Sequence, residues 1–293
     1  MARTKTGVKK AAKPTSKAKS AAKAKPVPKA EAGARSKTAR KPSSQERGQA
    51  QGLPMPILYK SIEAIRPERH AGKSLRRVIN YAFAASGHYV PLAAVEFATA
   101  AVHYPIVFTG SDPVMPIAVL GLEPFKSLFV SEDGVWETGC YVPAYVRRYP
   151  FILIHGGDTQ KYALCVDETS GFVYDGDDEP IFQDGKPTEI VDRILDFCTS
   201  YQRMLEATRD FGAALKARGL LMPSRTFTLP SGRTINLGDF QVVNGAKFHA
   251  LPEEVFLDWR QRGWLAFVHN HLVSLGNWKS LGARAEGKDP SEV

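Results

Sequence analysis

Two adjacent arginines, Arg147 and Arg148, stand between Tyr145 and Tyr149 in the run Tyr141 to Ile154, where they could hold an anion. Neighbouring guanidiniums repel each other and resist desolvation, so they either stay in water or face carboxylates and carbonyls in fixed geometry. With tyrosines on both sides and an apolar run after Pro150, at least one of the pair is expected to meet an acidic residue of the 132–196 region. Tyr104, Tyr149, Asp167 and His271 complete the candidate anion- or partner-binding set. Tyr104 and Tyr149 each precede a proline and an apolar strand, which points to a shared way of ending a helix.

Motifs for covalent or nucleotide chemistry do not occur. There is no Gly-x-Ser-x-Gly elbow, no phosphate-binding loop ending in Gly-Lys-Ser/Thr, and no Gly-x-Gly-x-x-Gly after a strand. His269 and His271 would share a face only on a strand. Their surroundings have helical periodicity, which turns the two rings apart by about 200°. The block from Val166 to Gly185 holds seven carboxylates and no Lys or Arg, yet counted from Asp175 the glycine position of a calcium loop is Pro180, so no metal is expected. No cofactor is implied. An enzyme remains the alternative, with a site assembled from Arg147, Arg148, His155 and Asp167, or a thiol hydrolase pairing Cys140 or Cys165 with His155.

The elements that must position these residues are legible to different degrees. Phe151 to Ile154 and Tyr162 to Asp167 read as strands, as do Ile106 to Phe108, Met115 to Leu122, Ser127 to Val130 and Phe240 to Val243. Val90 to Val102 reads as a helix, and Glu63 to Arg77 mostly as loop. Ile190, Ile194, Phe197, Tyr201, Met204, Thr208, Phe211 and Leu215 recur at steps of three and four, predicting one long amphipathic helix stopped by Gly219. Arg225 to Leu237 reads as a hairpin turning at Pro230-Ser231-Gly232, and two helices follow, near Pro252–Gln261 and Trp264–Leu275. The fold class expected is α+β: a single domain with a mainly antiparallel sheet, packed by the long helix and a C-terminal helix pair.

The charge is unevenly distributed. Residues 1–52 carry 15 Lys and Arg against Glu31 and Glu46, a net of +13, while the remainder has 24 basic and 28 acidic residues, a net of −4. That first segment has almost nothing to bury. It is expected to be a disordered Lys/Ala/Pro-rich tail able to bind nucleic acid or an anionic surface without sequence preference. Residues 53–280 form the expected globular domain and 281–293 a flexible end. Cys140, Cys165 and Cys198 have no pairing pattern and point to a reducing compartment. With no run long enough to span a bilayer and no signal-peptide h-region, a cytoplasmic protein is expected.

Six blocks carry a family resemblance in chain order: Val90 to Phe97, His103 to Phe108, Tyr141 to Phe151, Ala163 to Glu168, Phe227 to Gly232 and His271 to Trp278. Together they resemble the SapC family over roughly residues 55–280, leaving the basic tail outside. Members are bacterial proteins named for surface-array (S-layer) loci. The resemblance implies a non-enzymatic accessory or interaction role near surface-protein export or outer-membrane systems, and brings no catalytic residues with it.

Overall fold

A computed structural model describes residues 55–77, 80–156, 162–224, 226–229, 231–237 and 239–290. The expectation of a disordered tail over residues 1–52 falls outside them.

The described chain begins with three short pieces: β1 (Ile62–Ala64), the one-turn helix α1 (Pro67–His70) and β2 (Lys73–Leu75). Glu63 to Arg77 is therefore not mostly loop. Each piece is too short to show a period, and distant partners hold both strands, Ile62 opposite Asp167 and Lys73 opposite Asp175. β3 (Tyr89–Pro91) follows, then a 3-10 turn over Ala94–Glu96 and the one-turn helix α2 (Phe97–Ala100). Here too the sequence misleads: Val90 and Pro91 lie in a strand, not in a helix running to Val102. Pro91 is tolerated because β3 is an edge strand, where a missing N–H breaks no shared ladder.

β4 (Ile106–Thr109) and β5 (Pro116–Val119) pair antiparallel, with Val107 opposite Ile117. The strand expected at Ser127 to Val130 is reduced to one bridge, Val130 to Trp136, around a turn in which Gly134 takes φ 76°. The one-turn helix α3 (Ala144–Arg147) then delivers the chain into the hairpin of β6 (Phe151–His155) and β7 (Tyr162–Asp167). Much of the acidic block is ordered as β8 (Val173–Asp175) and β9 (Phe182–Gln183), the latter pairing with β10 (Lys186–Pro187). After the helix α4 (Glu189–Ala217) come β11 (Leu221–Pro223), β12 (Phe227–Thr228), β13 (Thr234–Ile235) and β14 (Phe240–Val243). The helices α5 (Gly245–His249), α6 (Glu253–Gln261), α7 (Trp264–Ser274) and α8 (Trp278–Ala285) close the described chain.

The fold is α+β with antiparallel sheets, one long helix and a C-terminal helix pair, α6 and α7. The strands divide into a five-stranded sheet in the order β11-β14-β4-β5-β3, a three-stranded sheet β1-β7-β6 and the pairs β2-β8, β9-β10 and β12-β13. The 29 residues of α4 extend about 43 Å, long enough to serve two cores. Its second half inserts Phe211 among Phe97, Phe108, Trp259, Trp264 and Phe267, with ring centroids 5.5–6.4 Å away. Its first half buries Val191 and Cys198 against a smaller cluster containing Leu75, Phe151, Val166 and Ile181.

The predicted stripe on α4 is fully buried at Tyr201, Thr208, Phe211 and Leu215, and its members before Tyr201 pack against the core only partly. Met204 is 37% exposed, and Ile190, Ile194 and Phe197 are only half-buried. In the first half the buried face lies one residue further round. Gly212 marks where α4 comes closest to a neighbour: a Cβ there would lie 2.2 Å from the Val114 carbonyl oxygen. At the other end, the boundary expected at residue 280 falls inside α8, because Leu281 and Ala283 are buried and Arg284 reaches Glu137 at 3.3 Å.

A candidate anion-binding cleft

The turn from α3 into β6 places the two arginines differently. Arg147, on the last turn of α3, is exposed and donates from Nε to the Val142 carbonyl at 3.1 Å and from Nη2 to the Tyr141 hydroxyl at 3.2 Å. Arg148 caps α3 and turns inward. It is only 9% exposed, and its guanidinium carbon lies 4.4, 4.9 and 5.6 Å from the ring centres of Tyr145, Tyr201 and Tyr59. Its Nε has no hydrogen-bond acceptor among the described residues. Among the described residues the expected acidic contact is not made. Among the described residues, no carboxylate forms an ion pair with Arg147 or Arg148. The negative faces of three tyrosine rings take the place of a counter-ion for Arg148, with an attraction of about 0.5–2 kcal/mol each.

A buried carboxylate that the sequence does not single out stands behind this arrangement. Glu96 accepts from the backbone N–H of Ala144 at 2.7 Å, the first residue of α3, and from the Tyr141 hydroxyl at 2.8 Å. Its other oxygen accepts from Ala93 N–H at 2.8 Å, the reach-back of a glutamate in the first helical turn. One side chain thereby anchors the start of α3 and orients the tyrosine that holds Arg147.

The pair opens onto a cleft of about 550 Å³. Arg76 and Arg77 after β2, and Arg193 on α4, also line it, so five arginines face one lining carboxylate, Glu179, among the described residues. Arg77 pairs with Glu179 at 3.1 Å, Arg193 with Glu189 at 2.8 Å, and Arg76 lies 4.9 Å from the Tyr174 ring centre. The apolar walls are Leu75, Phe151 and Phe172 on one side and Ile190, Ile194 and Phe197 of α4 on the other. The half-buried Ile190, Ile194 and Phe197 thus pack on the smaller cluster and also line the cleft. Arg76-Arg77 is itself an adjacent arginine pair, a signal open to sequence reading; Arg193 and the rings of Tyr59 and Tyr201 carry none.

Of the other predicted residues, Tyr149 joins the cleft. Its ring stacks on Phe83 at 4.2 Å, its hydroxyl donates to Asp167 Oδ2 at 3.3 Å, and burial pushes its ionisation upward. Asp167 is fully buried one hydrogen bond behind it. Burial alone would raise its pKa, but hydrogen bonds from the Thr169 hydroxyl, from Lys60 and Ser61 N–H and from Thr169 N–H prevail and hold it below the usual carboxylate range.

Tyr104 and His271 lie elsewhere, in the main core. Tyr104 donates to the Tyr141 carbonyl and accepts from Trp136 Nε1 at 3.3 Å. His271 accepts the Val243 N–H on Nε2 at 3.0 Å, and burial lowers its pKa to about 4, so the ring is neutral with its proton on Nδ1.

Of the alternative enzyme's residues, Arg147, Arg148 and Asp167 meet around Tyr149, but His155 is not brought to them. His155 pairs with Tyr162 at one end of the β6–β7 hairpin, while Asp167 ends β7 five residues on, about 16 Å along the strand. Cys165 faces Ile152 across the ladder, and burial pushes its thiol, like that of Cys198, up to about 11. Among the described residues no cluster of three or more His, Cys, Asp or Glu could hold a metal.

A family model named SapC matches residues 65–281. The chain belongs to the SapC family. No curated protein and no solved structure matches it. The SapC match spans every wall of the cleft, from Leu75 to Cys198, and leaves the basic segment 1–52 outside. No described SapC-domain helix is long and apolar enough to cross a membrane.

Proposed function

We propose that this SapC-family protein is a non-catalytic accessory or interaction module, working from the cytoplasmic side with a surface-layer or outer-membrane protein system, and that its arginine cleft takes an anionic ligand. The observation that carries the proposal is Arg148, a cation nine-tenths buried with aromatic rings around it and, among the described residues, no carboxylate paired with it. A guanidinium held in that way is ready to receive a carboxylate or phosphate fork without first breaking an internal ion pair. Thermal unfolding with acetate or phosphate, against chloride at equal ionic strength, tests it. A ligand at ten times its Kd stabilises by about 1.4 kcal/mol, and Arg147→Gln should abolish the difference. Equal stabilisation by all three salts would defeat the proposal.

The segment 1–52 adds a polyanion-binding arm. Fifteen cations with almost no apolar or aromatic groups attract phosphates and read no bases. The full chain should bind duplexes of any sequence, log affinity falling with log salt at about 0.9 per phosphate neutralised. Retention of that binding after deletion of residues 1–52 would contradict the assignment.

A further inference from the structure

The cleft is not merely positive. On α4 its wall carries Ile190, Ile194 and Phe197, which keep the helical apolar spacing and are half-buried where they pack against the smaller cluster, together with Arg193 and Cys198, and Phe151 and Phe172 also line it. A site for an inorganic anion has no use for such walls, since small anions are bound by donors alone. A site for a polypeptide segment would have to satisfy backbone N–H and C=O groups, and among the described lining residues of α4 the strong hydrogen-bonding group is Arg193, already paired with Glu189. Arg147 Cζ lies 5.5 Å from the Phe197 ring centre, so cation and apolar wall meet at one point.

We infer that the ligand is a single-chain amphiphilic anion, a carboxylate or phosphate head received by Arg147 and Arg148 with an apolar body laid along Ile194, Phe197 and Phe151. The inference rests on the anion-binding assignment and extends it to the class of ligand. A volume of about 550 Å³ falls within the usual range for small-molecule sites, about 300–1,000 Å³.

Calorimetric titration of the full chain with acetate, hexanoate and decanoate, below micelle-forming concentrations, tests it directly. Affinity should rise with chain length by up to about fourfold per methylene buried. Decyl phosphate should bind in the same way, and which decyl ligand binds more tightly identifies the head. Arg147→Gln, at an exposed position, should weaken every anion by about tenfold or more. Ile194→Ser should flatten the chain-length dependence.

Affinity independent of chain length, with acetate still bound, would overturn the amphiphile and leave the anion site standing. No binding of any anion would overturn both. Decyltrimethylammonium binding as tightly as decanoate, or a short peptide ending in leucine binding more tightly, would also overturn the inference.

Discussion

Replacing Arg148 by methionine separates an arginine kept for binding from one kept for stability. In the folded chain the guanidinium is 9% exposed, touches the faces of Tyr59, Tyr145 and Tyr201, and leaves Nε without an acceptor among the described residues. Three cation–π contacts at about 1 kcal/mol each give about 3 kcal/mol. Against them stands the desolvation of an ion, several kcal/mol after relaxation. Methionine keeps the length and apolar contact of the stem and removes the desolvation cost. Arg148→Met should therefore be unchanged or more stable by up to about 2 kcal/mol, while losing anion binding, the trade of stability for a functional site. A salt-bridged arginine would instead lose about 3–5 kcal/mol. Urea unfolding followed by circular dichroism and tyrosine fluorescence measures the difference. A loss above about 2 kcal/mol with unchanged denaturant dependence would show that the aromatic cage is a net stabiliser and that Arg148 is structural.

Asp167→Ala should cost about 3–5 kcal/mol at pH 7, because the Lys60, Ser61 and Thr169 N–H groups lose a charged acceptor in a closed site. Because the pKa of Asp167 is depressed on folding, its contribution is present above the ordinary carboxyl value and lost as pH falls through the lowered one. The gap between wild type and variant in urea should therefore close in strong acid. His271 also has a depressed pKa, so its share of stability is complete above about 6.5 and declines toward its folded value of about 4. Wild type should lose about 3 kcal/mol relative to His271→Gln over that interval, and parallel pH profiles of the two would refute the buried neutral ring. On α4, Phe211→Ala should cost about 3–5 kcal/mol and Met204→Ala less than about 1, measured by thermal unfolding, since only the first is enclosed by aromatic rings.

By itself the sequence determined the long helix and its stop at Gly219, the strands at Phe151 and Tyr162, the α+β class and the SapC membership. Each rests on local periodicity or on contiguous blocks, which survive whatever the rest of the chain does. Tertiary structure decided everything that depends on a partner far along the chain. β1 and β2 exist because Asp167 and Asp175 lie opposite them, and Val90 joined a strand because β5 supplied its hydrogen bonds. The same holds at the cleft. Which face of α4 is core changes part-way along the helix, because its first half meets a different cluster from its second, and a periodic pattern cannot register that change. The counter-charge for Arg148 was expected to be a carboxylate because sequence shows charges and not the faces of rings. Tyr59, Tyr145 and Tyr201 come from three separate stretches, and only packing could bring their π-faces around one guanidinium.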